Sequence, residues 1–230
     1  MLEKGFSDVR EKQSPVKQDD LFRISDSKRP PWDAGNKETS DEIRVVPGNG
    51  MESVDKAELQ EAVQMAVEAI QFIKENASTE IELQTAQTLE TMAREGRVFI
   101  GDTSKDIGHT VYGYFQPGYD RKTGKETGLL VLDYDMLLAY GKAEAIDTMT
   151  HEGYHAAQHE EGHSNDCVEE ELRAWNIGLE MSNQYREEAG EYIAQTKPYT
   201  LSDIEGFGYT RDLGAGVFTE LTGSSTEAMA

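Results

Sequence analysis

The chain has 230 residues, 44 of them acidic and 22 basic, so its formal net charge at pH 7 is −22. This charge, with an isoelectric point near 4.5, argues against nucleic acid and anionic membranes as partners and favours basic or neutral ones. A single cysteine excludes an internal disulfide and a multi-cysteine zinc site, and no apolar run is long enough to cross a membrane.

Residues 1–50 are rich in Pro, Ser, Asp and Lys and have no periodic apolar pattern. This composition is typical of a disordered arm or a secretion segment. Charged residues stand close behind Met1, where an export signal peptide would have an apolar core, so no such signal is expected. We expect the folded domain to cover residues 51–230.

Two helices are predicted to open this domain. Apolar residues recur at helical spacing over residues 53–76. Thr79 and Glu82 have the spacing of a capping box, which predicts a second helix that ends at Gly96.

A small sheet is predicted to follow, with β-like segments at residues 97–101, 109–115 and 129–134. The last two are predicted to form a hairpin, because Gln116-Pro117-Gly118 and a polar turn over residues 122–125 lie between them. Helices and strands in this order indicate an α+β fold.

The segment from Lys142 to Glu161 is predicted to be a helix, because it lacks proline and is rich in good helix formers. It contains the pattern His-Glu-x-x-His as His151-Glu152-Gly153-Tyr154-His155. Residues four apart are neighbours on a helix, so both imidazoles can reach one metal ion with Glu152 beside them. Opposite the histidines lies an apolar stripe formed by Ile146, Met149, Gly153 and Ala157. A glycine in this stripe is expected where another element passes very close.

A further helix is predicted from Val168 to about Glu188. Glu171 lies within about 60° of the apolar axis of this helix, whereas Glu169 and Glu170 point away from it. A carboxylate on a core-facing stripe needs a partner, which either a metal ion or a salt bridge would supply. With a metal, His151, His155 and Glu171 would leave a fourth position open for water.

Other interpretations of the histidines stay open at this point. His159 and His163 continue the four-residue spacing, so a site of His155 and His159 with Asp166 or Glu160 is an alternative. They are also typical of solvated residues at a fraying helix end. In the plainest interpretation, the histidines of the motif are solvated on an exposed helix.

The motif and Glu171 together resemble the zincin metallopeptidases, in the gluzincin-like arrangement where a second helix supplies a glutamate ligand. The resemblance covers roughly residues 97–187, and within the superfamily the chain looks most like compact bacterial effector and polymorphic-toxin peptidase domains. It implies a zincin-like α+β fold, with a small antiparallel or mixed sheet packed on the active-site helix and additional helices. It also implies one Zn²⁺ per chain held by His151, His155 and Glu171, with Glu152 as the general base.

The chain departs from two zincin patterns. Glu161 stands where metzincins have their third histidine, and Trp175 stands where thermolysin-like members have an aspartate that orients the first histidine. In zincins a strand beside the active-site helix binds the substrate peptide by edge pairing, and the resemblance nominates residues 129–134 or the neighbouring strand. The residue that stabilises the oxyanion is left open among Tyr112, Tyr114, Tyr192, Tyr199, Tyr209 and His163.

The expected function is therefore that of a zinc endopeptidase that cleaves a specific protein target by metal-activated water. The resemblance adds a role as a bacterial effector or toxin, made in the bacterial cytoplasm and exported by a system that needs no signal peptide. Two alternatives are a zinc amide hydrolase acting on a non-protein substrate such as peptidoglycan, and a non-catalytic acidic interaction protein.

Overall fold

The structure is a computed structural model, and it describes residues 42–48, 50–120, 124–163 and 167–207. Residues 1–41 of the predicted arm lie outside the described residues. Near the end of that predicted arm, Val46–Pro47 forms strand β1 and Val45 is buried in the main core. This short strand pairs with a later, buried strand, and such non-local pairing leaves no periodic signal in the sequence.

The described part of the chain has an α+β fold with seven α-helices and one mixed four-stranded sheet. After β1 and a single 3₁₀ turn, the elements follow in this order: α1 (Lys56–Asn76), α2 (Glu80–Arg94), β2 (Val98–Gly101), α3 (Thr103–Ile107), β3 (Gly113–Asp120), β4 (Lys125–Asp133), α4 (Tyr134–Tyr140), α5 (Lys142–Glu160), α6 (Val168–Ala189) and α7 (Leu201–Gly206). None of the described helices is long and apolar enough to span a membrane.

The predicted helices α1, α2, α5 and α6 are confirmed, and so is the capping box of α2. Thr79 accepts a hydrogen bond from the backbone N–H of Glu82, and the Glu82 carboxylate accepts one from the N–H of Thr79. The short helices α3, α4 and α7 were not predicted. Helix α4 begins directly after β4 because Asp133 caps it: the Asp133 carboxylate accepts a hydrogen bond from the N–H of Met136.

The sheet has the strand order β1-β2-β4-β3, with β1, β2 and β4 parallel and β3 antiparallel to β4. The predicted hairpin is confirmed, but β3 runs through Gln116-Pro117-Gly118, which were predicted to form part of the turn. Proline is tolerated there because β3 is an edge strand and a proline whose nitrogen faces outward breaks no hydrogen bond of the ladder.

Helix α5 lies at the centre of the fold. It packs against α1, α2, α4 and α6 and against strands β3 and β4, so most of its length is buried. The main core is formed by the apolar faces of α1 and α2, by alternate residues of β2 and β4, and by the buried stripe of α5. This packing fixes the helix that carries the His-Glu-x-x-His motif relative to the sheet.

Candidate metal centre

The two motif histidines lie one turn apart on α5, on the side away from its apolar stripe. The stripe is buried, and at Gly153 the side chain of Leu89 from α2 approaches so closely that a Cβ would lie 2.7 Å from Leu89 Cγ. The expectation that another element passes close to Gly153 is therefore confirmed. His151 and His155 are themselves buried, with 9% and 7% of their surface exposed.

Glu171 lies in the first turn of α6 and is buried, whereas Glu169 is exposed and Glu170 is half-buried. This order follows the helical geometry predicted for the three consecutive glutamates. Helix α6 packs along α5, and its first turn brings the Glu171 carboxylate against the two imidazoles. The structure thus brings together the three residues that the sequence nominated as ligands.

The imidazole nitrogens and carboxylate oxygens of these three residues lie close enough together to bind one metal ion. His151 Nε2 and His155 Nε2 are 3.2 Å apart, His155 Nε2 lies 3.3 Å from Glu171 Oε1, and His151 Nε2 lies 3.6 Å from Glu171 Oε2. Nitrogen and oxygen ligands at about 2.0–2.1 Å from zinc in a tetrahedral arrangement are about 3.3–3.4 Å from one another. The cluster could therefore hold a metal ion with little movement.

The charges within the cluster also suit a cation. Glu171 Oε2 is buried and has no hydrogen-bond partner in the described part of the chain. Burial, and then the neighbouring His155, lower the pKa of His151 well below its ordinary value. Burial lowers the pKa of His155 too, but the hydrogen bond and charge of Glu171 outweigh it, so the pKa of His155 is raised. A neutral imidazole and an unsatisfied carboxylate oxygen are groups that gain from a metal ion.

Glu152 is oriented by the edge strand. Its Oε2 accepts a hydrogen bond of 2.8 Å from the backbone N–H of Phe115, while its Oε1 lies 4.0 Å from Nε2 of His151. Burial and the charge of Glu171 raise the pKa of Glu152 to about 7. One carboxylate oxygen is thus anchored on β3, and the other lies beside the ligand cluster.

An aromatic group that the sequence did not predict covers the His151 side of the cluster. The indole of Trp175 contacts the His151 ring, and the rings of Tyr199 and Phe207 pack on Trp175 and on each other. The segment after α6 folds back along that helix. Asn176 exchanges two hydrogen bonds with the backbone of Tyr199, and Asn183 donates to Gln195 O. The one sequence signal for α7 was the capping-box spacing of Thr200 and Asp203, which the structure shows at its start.

The alternative site built on His155 and His159 is not formed in the described residues. His159 Nε2 lies 3.1 Å from the backbone oxygen of Gly118 and 3.2 Å from Glu126, so it faces the hairpin. Glu160 pairs with Arg97 at 2.9 Å, and Asp166 lies outside the described residues. His155 instead faces His151 and Glu171.

Among the residues considered for the oxyanion, Tyr199 packs on Trp175, whose ring contacts His151. The Tyr114 hydroxyl donates a hydrogen bond to Asp106, the ring of Tyr112 packs on Tyr140, and His163 is hydrogen-bonded to Gln158. Tyr192 is 84% exposed, and Tyr209 lies outside the described residues.

Comparisons of the chain with models of protein families, with curated proteins and with solved structures found no match.

Proposed function

We propose that the chain is a zinc-dependent endopeptidase whose metal ligands are His151, His155 and Glu171. The observation that carries the proposal is that the two imidazole Nε2 atoms lie 3.2 Å apart and each lies within 3.6 Å of one oxygen of the Glu171 carboxylate, beside a second carboxylate with one oxygen directed toward the cluster. Zinc bound there would activate a water molecule and polarise the carbonyl of the bond to be cleaved.

Glu152 is the general base of this proposal. It takes a proton from the attacking water and passes it to the leaving amine. The hydrogen bond from the N–H of Phe115 holds Oε2, so Oε1 keeps its place beside the histidines without further ordering of the side chain. Such preorganisation lowers the cost of reaching the transition state.

The edge strand supports a polypeptide as the substrate. The N–H of Asp133 donates a hydrogen bond to Tyr112 O, so the backbone groups of Tyr112 face β4. In an antiparallel pair these groups alternate in direction, so every second residue of β3, starting at Gly113, turns its N–H and C=O away from β4 toward the free edge. Phe115 is one of these outward-facing residues, and Glu152 lies against it. An extended peptide that pairs with this edge would lie along α5, close to the catalytic carboxylate. Strand β4, one of the two segments nominated from the sequence, lies between β2 and β3 and has no free edge.

A mixed sheet with an antiparallel edge strand beside the motif helix is the arrangement expected of a zincin-like fold. The proposal keeps the role of a bacterial effector or toxin, which rests on the sequence resemblance alone. The net charge of −22 favours basic or neutral protein substrates.

The test is a search for new peptide termini in a mixture of unfolded proteins from a bacterial and a eukaryotic lysate, read by mass spectrometry. Zinc-loaded wild type and Glu169→Gln, which changes an exposed glutamate next to the site, should produce the same new termini. Glu152→Gln should retain zinc and produce none. Cleavage by Glu152→Gln at the wild-type rate would contradict the proposal. Release of fragments from purified peptidoglycan in a parallel incubation, without new protein termini, would favour the amide hydrolase.

A further inference from the structure

Tyr154 is one of the two residues that the pattern His-Glu-x-x-His leaves unspecified, and it links the helices that carry the proposed ligands. Its ring is buried, with 1% of the residue exposed, and its hydroxyl donates a hydrogen bond to Glu170 Oε2. The other carboxylate oxygen of Glu170 accepts from Arg173 at 3.0 Å. The contact thus joins α5 and α6 one residue before a proposed ligand on each, His155 and Glu171.

We propose that the hydrogen bond between Tyr154 and Glu170 is a positioning contact that holds Glu171 at its metal-binding distance from the histidine pair. The inference rests on the metal site of the proposed function. It gives Tyr154 and Glu170 a role in metal affinity, although neither contacts the metal.

The first turn of α6 needs such a contact because it lacks the usual side-chain cap. Its N-cap residue is Cys167, whose side chain makes no capping hydrogen bond, so the first turn has no local polar anchor at that position. Val168, the first residue of this turn, is buried. Burial of an apolar side chain does not by itself define how the turn is rotated about the helix axis. A directional hydrogen bond to Glu170 does define it, and it thereby sets the direction of Glu171.

The strength of the contact is sufficient for this role. A hydroxyl that donates to a carboxylate makes a charge-assisted hydrogen bond, which is stronger than one between neutral groups. Groups that orient metal ligands from outside typically change metal affinity about 10- to 100-fold when they are removed. We therefore expect Tyr154→Phe, which removes only the hydroxyl, to weaken zinc binding by a factor in that range.

The experiment is a zinc titration against a chromogenic chelator with purified full-length protein. Tyr154→Phe and Glu170→Ala should each weaken binding about 10- to 100-fold, and the double variant should be no weaker than either alone, because both remove the same bond. Glu170→Gln keeps an acceptor oxygen and should bind zinc within about threefold of wild type. Glu169→Ala, at the exposed neighbouring glutamate, should be unchanged.

The second control is a variant that is less stable than wild type but unchanged at the proposed metal site. Ile70→Val shortens a buried side chain of α1 and should lower the free energy of unfolding by about 0.5–1.5 kcal/mol without changing zinc affinity. Wild-type zinc affinity in both Tyr154→Phe and Glu170→Ala would overturn the inference and leave the proposed function intact. Failure of wild type itself to bind zinc would overturn both.

Discussion

The indole ring of Trp175 packs edge to face against the imidazole of His151, with the ring centroids 5.1 Å apart and the planes at 78°. An indole has one N–H donor and no acceptor, so Trp175 cannot accept a hydrogen bond from the imidazole. The contact of Trp175 with His151 is therefore one of ring packing. The rings of Tyr199 and Phe207 also pack against Trp175.

This contact predicts that Trp175 reports metal binding. The chain has two tryptophans, so Trp32→Phe leaves Trp175 as the only indole. Titration of this variant with Co²⁺, which quenches the fluorescence of nearby indoles, should reduce the emission until one ion per chain is bound. Adding His155→Ala should remove the effect at the same Co²⁺ concentrations. Equal quenching in both proteins would show that the ion binds elsewhere.

Gly153 predicts a steric limit inside the motif. A methyl group there would lie 2.7–2.9 Å from the branched end of Leu89, which is fully buried. Overpacking of this kind costs about 1–3 kcal/mol, so Gly153→Ala should lower the free energy of unfolding despite the better helix propensity of alanine. The measurement is denaturant unfolding of Gly153→Ala, Leu89→Ala and the double variant. The double variant should lose less free energy of unfolding than the two single variants lose together, because Leu89→Ala removes the atoms that the added methyl group meets.

Gly206→Ala is the matched control for this series, because among the described residues no side chain and no neighbouring element lies within 4 Å of the added Cβ. It should change the free energy of unfolding by less than about 0.5 kcal/mol. A Gly153→Ala protein that is as stable as wild type would contradict the close contact with Leu89.

The carboxyl group of Asp147 should make the stability of the fold depend on pH. Burial and the charge of Glu144 raise the pKa of Asp147 to about 7, while the Ser182 hydroxyl at 3.4 Å and the Arg186 guanidinium act in the opposite direction. Because the folded protein favours the protonated acid, this group destabilises the fold progressively as the pH rises from about 4 to about 7. Asp147→Asn should therefore gain stability over wild type, by about 1–3 kcal/mol at pH 8 and by less at pH 5.5.

The measurement is denaturant unfolding of metal-free protein at several pH values between 5.5 and 8. Asp135→Asn, at an exposed acid of α4, controls for the change in net charge. A gain for Asp147→Asn that is the same at pH 5.5 and pH 8 would refute the raised pKa as its cause.

Local patterns were enough to predict the elements that carry the site. The capping box of Thr79 and Glu82 marked the start of α2, and the apolar stripe of α5 set the face on which His151 and His155 lie. Helical geometry also distinguishes Glu171 from Glu169, because the face of a helix on which a residue lies follows from its spacing along the chain.

Contacts between distant residues could not be read in this way. The bond from Tyr154 to Glu170 and the docking of Tyr199 by Asn176 depend on how helices and loops meet in space, which no local period encodes. Proline is typical of turns, so the local sequence predicts Pro117 in a turn, whereas the position of its strand at the sheet edge depends on the order in which distant strands pair.

The most direct test of the account is the zinc content of the protein, measured by elemental mass spectrometry after purification without chelators. Wild type and the control Glu169→Ala should each hold about one zinc per chain, whereas His155→Ala and Glu171→Ala should hold far less, because each lacks one of the three proposed ligands. A wild-type protein that holds no zinc even after zinc is added, or ligand variants that hold as much as wild type, would contradict the metal centre.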